Sequence, residues 1–340
     1  MKKISIQPYS YNGYNAGSKA VNDTSEILRK NGYQIYSISC CQRYFGNFFH
    51  LLGLYLDIIR FYCLLFRLGN DDVVFIQWPF YSEDCFSRSL SKYLYKKRIN
   101  TIILIHDINN LRDANEKIDE SFVKILQFAS NIIVHSGEMK KYICSLGANK
   151  NAISILTTFD YLTDDIISIR KMSKTVVYAG NLDKSAFINS IDKSLLDKVT
   201  INCYGKGNVK VKNGLVYKGY FKPNEVSKIE GSWGLVWDGD STDTCTGLYG
   251  EYLRFNSPHK VSMYIVACLP IIIWKYSALA SYVEDKQIGF TIESLDEIPH
   301  ILDAMSDELY SLYSKNIQEE AKNLRKGKHL LDVLGITSHN

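Results

Sequence analysis

The 340-residue chain reads as an α/β protein built from two halves, each a parallel sheet covered by helices. Three observations predict this. Short β-branched runs alternate with helical patterning along almost the whole length, the signature of parallel strands joined by crossover helices. Each half opens with a strand followed by a loop that carries glycine. A polar, charged stretch over residues 157–173 parts the two halves and reads as a linker. The domains expected are 1–160, 174–305, and a charged helical segment 306–340 that packs back across the hinge.

Composition sets the outer limits. A hydrophobic content of 46% supports a full core, and a net charge of +4 is too mild to mark nucleic acid as a partner. The eight cysteines, at 40, 41, 63, 85, 144, 203, 245 and 268, show no metal-ligand spacing and fit reduced thiols in a cytoplasmic protein. The opening MKKISIQPYS lacks the apolar core of a secretion signal. The 24 tyrosines suit polar, ring-stacking surfaces of the kind sugars favour.

In order, residues 3–7 form the first strand, 9–19 a loop rich in Tyr, Asn and Gly, and a helix follows to about Lys30. Strands are expected at 33–39, 73–77, 101–105 and 131–134. Ligands of such sheets bind beyond the carboxyl ends of the strands. That rule gathers Gly17, Ser18 and Lys19, Trp78, His106 and Asp107, and His135 along one rim. The segment 47–66 breaks the rhythm. It is nearly long enough to span a bilayer, but His50, Asp57 and Arg60 interrupt it. It reads as a helix packed in the core, at a homo-oligomer interface, or against a membrane surface as a peripheral contact.

The second half repeats the pattern, with strands at 175–179, 200–204, 215–219, 234–237 and 271–274. Gly180-Asn181 and Gly205 follow its first two strands. The stretch 247–274 is the most informative. Ser257 and Pro258 supply an N-cap and a first-turn proline, an apolar helix follows, and Pro270 opens a β-branched strand. His259 and Lys260 stand in the first helical turn, where a cation opposes the helix dipole unless something negative lies close by. A diphosphate is one such group. The glycine loops are neither a G-x-G-x-x-G nor a P-loop, so dinucleotide redox and NTPase chemistry lose support.

Lys260, Tyr264, Pro270 and the β-branched residues after it resemble the K-x-x-E-Y-x-A-x-G-x-P-V-I pattern of GT-B glycosyltransferases, with Met263 in place of the Glu and Cys268 in place of a Gly. A closer resemblance is to a bacterial family containing the glucosyltransferases that extend O-linked GlcNAc on serine-rich repeat adhesins, and the related β-1,6-galactofuranosyltransferases. It is carried by residues 15–20, 105–108 with Leu111-Arg112, 133–136 with Met139, 178–182, 234–239, Gly250, 252–254, Asn256 and 258–260.

The resemblance implies a GT-B architecture, two Rossmann-like domains with the active site in the cleft between them. It also implies transfer of a hexose from a UDP-sugar, with UDP-glucose the first choice, to a glycan or glycoprotein acceptor such as protein-linked GlcNAc. Galactofuranosyl transfer is the rival activity. A non-catalytic partner of a transferase and an epimerase of the UDP-GlcNAc 2-epimerase type are rivals of other classes. Candidate donor-site residues are Gly17, Gly180, Asn181, Lys184, Tyr204, Gly205, Tyr217, Trp237, Tyr249, Tyr252, Arg254, Asn256, His259 and Lys260. Asn15, Ser18, Lys19, Trp78 and His135 are expected on the acceptor side. Asp107 or His106 would serve as the base and Lys260 as the cation facing the leaving phosphate. No cofactor is expected, and Asp238-Gly239-Asp240 is read as a polar loop rather than a metal site.

Overall fold

In a computed structural model the described residues are 1–8, 16–38, 47–80, 84–113 and 117–336. The chain divides into two compact units. The first comprises Met1–Gly13 and Val21–Leu156, the second Tyr14–Ala20 and Thr157–Asn340.

The first unit holds a six-stranded sheet of β1 (Lys3–Pro8), β2 (Gln34–Ile38), β3 (Val73–Trp78), β4 (Asn100–Ile105), β5 (Asn131–Val134) and β6 (Ile153–Ile155), ordered β2-β1-β3-β4-β5-β6. Every pairing is parallel, with Ile4 of β1 opposite Gln34 on one side and Val74 on the other. Strands covered on both faces need apolar side chains throughout, which is why β3 reads VVFIQW and is buried from end to end. Its one strongly polar residue, Gln77, is compensated: its amide donates to Gln7 and Ser25, and its carbonyl oxygen faces His106 Nε2 at 2.8 Å. The short β6 was not expected.

The second unit holds β7 (Thr175–Ala179), β8 (Thr200–Tyr204), β9 (Leu215–Tyr217), β10 (Trp233–Val236), β11 (Ile271–Trp274) and β12 (Gly289–Ile292), ordered β12-β11-β10-β7-β8-β9, again all parallel. β12 is the other strand not expected. The order reverses between β7 and β10, so connections leave this pair in opposite directions and open a crevice at their carboxyl ends.

Helix His259–Val266 covers one face. Its Tyr264 hydroxyl accepts from Ala179 N at 2.8 Å and donates to Leu235 O at 3.2 Å, tying the ends of β7 and β10 together. Only glycine fits beneath that ring, since a Cβ on Gly234 would lie 2.4 Å from it. Cys268, where the related pattern has Gly, adopts a left-handed φ of 53°, the conformation a helix C-terminus favours and glycine accepts at no steric cost.

Three expectations are corrected. The expected cap from Ser257 is not made. Pro258 occupies the N-cap position, and the Ser257 hydroxyl is buried with no partner among the described residues. The helix expected after Lys19 already begins at Ala16. The stretch 157–173 has no regular structure but is not a loose linker. Thr158 Oγ1 meets Ser262 Oγ at 2.8 Å, Arg170 donates to Ala267 O and Ile229 O, and the Asp160 carboxylate accepts from His329 N and Leu330 N. Polar side chains that looked solvent-directed are spent on buried backbone groups.

The chain ends in helices Asp307–Arg325 and Lys328–Val333, joined through Gly327 at a φ of 73°. Glu320 is buried and accepts from Tyr282 Oη at 2.7 Å, His329 Nε2 at 2.7 Å and Asn323 Nδ2 at 3.1 Å, with Lys286 Nζ at 3.4 Å. Burial alone would raise its pKa, but the hydrogen bonds from His329 and Tyr282 outweigh it and hold the carboxyl down at about 2. Burial pulls His329 down, while Glu320 and Asp160 more than restore it and leave its pKa raised.

A raised His contributes stability fully below its unfolded value of about 6.5 and loses it as pH climbs through the folded value. A lowered Glu contributes above its unfolded value of 4.5 and loses it as pH falls toward about 2. The pair therefore stabilises most between roughly pH 4.5 and 6.5. Melting temperature should decline as pH rises above that window. His329→Gln should flatten the decline and cost about 2 kcal/mol at pH 6.

Candidate active site

The crevice at the β7/β10 reversal is lined by residues of the second unit and encloses about 300 Å³. Its floor is backbone. The turns after β7 and β8 lie against each other: Gly180 N donates to Tyr204 O at 3.0 Å and Leu182 N to Lys206 O at 2.9 Å. A Cβ on Gly205, whose φ is 139°, would sit 1.8 Å from Gly180 O, and one on Gly207 would lie 2.6 Å from Asp183 N. Asn181 caps the turn Leu182–Lys184 by accepting from Asp183 N at 3.1 Å. These glycines let two loops share one narrow rim, and so leave a cavity that side chains would otherwise fill.

Aromatic and cationic groups form the walls. Tyr204, Tyr220 and Phe221 line one part, and Tyr204 and Phe221 meet edge to face at 5.4 Å. Tyr204 is fixed by its hydroxyl, which accepts from Glu230 N at 2.9 Å, and burial raises its pKa. His259 lies 5.0 Å from the Tyr161 ring, and Lys19 Nζ stands 4.8 Å over the same ring while donating to Leu162 O. Lys19, Lys206, His259 and Lys260 therefore surround one cavity.

Lys260 has a different environment from the one expected. Its ammonium donates to Asp238 Oδ1 at 2.7 Å, Trp237 O at 3.1 Å and Tyr178 Oη at 3.3 Å, and lies 4.6 Å over the Tyr178 ring. Three protons meet three protein acceptors. Tyr178 also donates to Asp238 Oδ1 at 2.9 Å, and burial, reinforced by that carboxylate, pushes its pKa well up so the hydroxyl keeps its proton. The negative group that a first-turn lysine calls for is thus the chain's own Asp238. The Asp238-Gly239-Asp240 loop has its first carboxylate committed to this cluster.

Of the donor residues expected, Gly180, Asn181, Tyr204, Gly205, His259 and Lys260 line the cavity, and so does Lys19, which was expected on the acceptor side. The others lie elsewhere. Trp237 is fully buried with its indole N–H on Ser241 O, so it is core and not a platform for a base. Tyr252 is buried, Lys184 stands 4.4 Å over the ring of the half-buried Tyr249, and Tyr217 donates to Gly205 O at 3.0 Å. Arg254 pairs with Glu251 and stacks 4.6 Å over Trp274, which ties down the loop before the helix. The buried side-chain oxygen of Asn256 accepts no hydrogen bond among the described residues. Gly17 stands in the first turn of helix Ala16–Lys30, Ser18 is half-buried, and Asn15 lies outside the described residues.

In the first unit, Trp78 is buried and stacked on Phe122 at 5.1 Å, and His135 is 1% exposed, so both belong to the interior. His106 has Nε2 on Gln77 and a buried Nδ1. Asp107 keeps a partly exposed carboxylate, paired with Arg112 at 2.6 Å. Tyr161, Lys206, Tyr220, Phe221 and Met263 were missed as lining residues. The sequence held a hint for two of them: Lys206 stands one residue past Gly205, and Met263 occupies the Glu position of the GT-B pattern.

Two parallel-sheet domains, the second with a polar and aromatic crevice at its strand reversal, define the chain as a GT-B glycosyltransferase fold with two Rossmann-like domains. Comparison with known proteins narrows this. Residues 3–156 match the model of the glucosyltransferase 3-like N-terminal domain, and residues 176–335 that of the glucosyltransferase 3-like C-terminal domain. The chain belongs to this family and is a glycosyltransferase. It is 31% identical over 339 residues to the β-1,6-galactofuranosyltransferase WbbI of Escherichia coli K12, covering 97% of this chain and 96% of that one. It is 22% identical to glucosyltransferase 3 of Streptococcus gordonii, covering 96% and 95%. Among solved structures, Anabaena Alr3699/HepE in complex with UDP-glucose superposes with a TM-score of 0.57 at 13% identity, covering 98% of each chain, a likeness of fold.

The Lys260 cluster yields a stability prediction. Its two charges are 10% and 22% exposed, so removing one strands the other in a poorly solvated place. Lys260→Met should cost about 2–3 kcal/mol. The double variant Lys260→Met/Asp238→Asn should cost less than the sum of the two singles in denaturant unfolding.

Proposed function

We propose that the chain transfers a hexose from a UDP-sugar to a glycan acceptor, with UDP-glucose as donor and a protein-linked GlcNAc as acceptor type. The observation that supports this best is the composition of the second unit's cavity: glycine-bearing backbone turns, aromatic rings, and Lys19, His259 and the start of helix His259–Val266 all line it. A uridine ring needs a flat apolar neighbour and backbone groups for its amide edge. Tyr220 and Phe221 can offer the first and the Gly205 turn the second. A diphosphate needs fixed positive charge and N–H donors, which a helix start and a buried ammonium supply.

In this reading Lys19 and His259 carry the charge that grows on the β-phosphate as the anomeric C–O bond breaks. Lys260 works at one remove, holding Asp238 and the β10 turn in place. The acceptor hydroxyl oxygen bonds to the anomeric carbon and gives its proton to Asp107, which Arg112 orients. UDP leaves with the electron pair of the broken bond. No metal is required for this charge balance.

The higher identity to the galactofuranosyltransferase favours a second reading, in which the donor is UDP-galactofuranose. Both share the UDP part of the site and differ only in the sugar.

UDP at a hundredfold its dissociation constant should stabilise the protein by roughly 2.7 kcal/mol. Lys19→Met should weaken UDP binding far more than uridine binding. Asp107→Asn should abolish transfer and leave the UDP shift intact, and EDTA should leave transfer largely unaffected. A stabilising shift with adenine or nicotinamide nucleotides and none with UDP would overturn the reading. Parallel assays with UDP-glucose and UDP-galactofuranose separate the two donors.

A further inference from the structure

Helix Asn47–Leu65 of the first unit is apolar on two opposite sides. Phe61 and Leu65 are buried in the sheet's core cluster. Leu52, Tyr55, Leu56, Ile59, Cys63 and, just past the helix end, Phe66 are exposed, from 43% at Leu52 to 73% at Phe66. Their steps of three and four residues place them on one face, a stripe of about 21 Å at 1.5 Å per residue. A surface helix normally turns its polar side outward, and contiguous exposed apolar surface marks a contact. No helix among the described residues is long and apolar enough to cross a membrane, so this one can lie on a surface but not span it.

The charges around the stripe indicate its occupant. Arg60 and Arg67 are exposed on the same segment, and Lys2 Nζ donates to Arg67 O at 2.8 Å. Phe66 meets the Tyr93 ring at 6.1 Å, with Lys97 Nζ 6.0 Å over that ring. Helix Asp84–Lys97 and the residue after it present Arg88, Lys92, Lys96, Lys97 and Arg98, all exposed, and no Asp or Glu occurs from residue 85 to 106. Of the two acids between helix Asn47–Leu65 and β3, Asp72 is held by the backbone N–H groups of Lys2 and Gly69, and Asp71 is exposed. Two copies joined stripe to stripe would bring these cations together. An anionic sheet of headgroups over an apolar interior matches both the charge and the stripe.

We propose that this face docks the protein on an anionic lipid bilayer, with the stripe in the interface and Lys2, Arg60, Arg67 and Lys97 among the headgroups. The proposal stands independently of the donor sugar. Co-sedimentation of the whole chain with vesicles of phosphatidylcholine mixed with phosphatidylglycerol tests it, with pure phosphatidylcholine vesicles as the neutral arm. The wild type should sediment with the mixed vesicles, and high salt should release it. Leu56→Glu/Ile59→Glu should abolish binding, and Arg67→Gln/Lys97→Gln should weaken it about tenfold or more. Both variants should keep the wild-type circular dichroism spectrum and melting temperature, because the altered side chains lie outside the core. Absence of wild-type binding, or equal binding to neutral vesicles, overturns the proposal. So does self-association of the wild type, seen by light scattering, that Leu56→Glu/Ile59→Glu abolishes while neither protein binds vesicles. That outcome assigns the stripe to a second copy.

Discussion

The Lys260–Asp238 ion pair is the contact on which the second unit's crevice depends. β7 and β10 are neighbours whose connections diverge, so the turns at their carboxyl ends have no continuous strand to hold them. An ammonium beneath both turns, bonded to Asp238, Trp237 O and the Tyr178 hydroxyl, supplies what the sheet cannot. Tyr264 does the same one turn further along the helix, through Ala179 N and Leu235 O. The two residues that match the glycosyltransferase pattern most clearly in sequence are, in this structure, the two that staple the reversal.

That arrangement also explains why the helix begins as it does. A lysine in a first turn opposes the helix dipole, and the cost is offset when its charge is taken up by a carboxylate at a strand end. Pro258 at the N-cap position offers no side-chain cap, and the Ser257 hydroxyl makes none. The first N–H groups of the helix therefore carry no side-chain cap of the kind a Ser or Asp would supply.

Much of the architecture was legible because parallel sheets write themselves as uninterrupted apolar runs. Runs such as VVFIQW and IIIW leave little choice of element. β6 and β12 were not legible, being short and partly exposed edge strands without such a run. The cavity's glycines were visible as turn residues, but which glycine mattered was not. Gly205 and Gly207 are constrained by contact with residues some 25 positions earlier, and no local pattern encodes that. Two tryptophans depart from expectation in the same way. Trp237 was expected in the donor site and Trp78 on the acceptor side because both stand at strand ends, yet a large ring at a strand end is as readily folded into the layer beneath. Of the rings that do line the cavity, Tyr204 ends β8 and was expected, while Tyr161, Tyr220 and Phe221 come from irregular segments whose course depends on tertiary hydrogen bonds.

Lys19 and Lys260 show how the same residue type divides labour by its partners. Lys260 is neutralised by a carboxylate 2.7 Å away and further satisfied by two neutral acceptors. For an arriving anion to recruit it, that pair would have to be broken in a poorly solvated place, which forfeits much of the gain. Lys19 has a different setting: it donates to Leu162 O and stands over the face of Tyr161. By its partners Lys260 is committed to holding the β7 and β10 turns, while Lys19 fixes the start of the first helix against Leu162 and Tyr161.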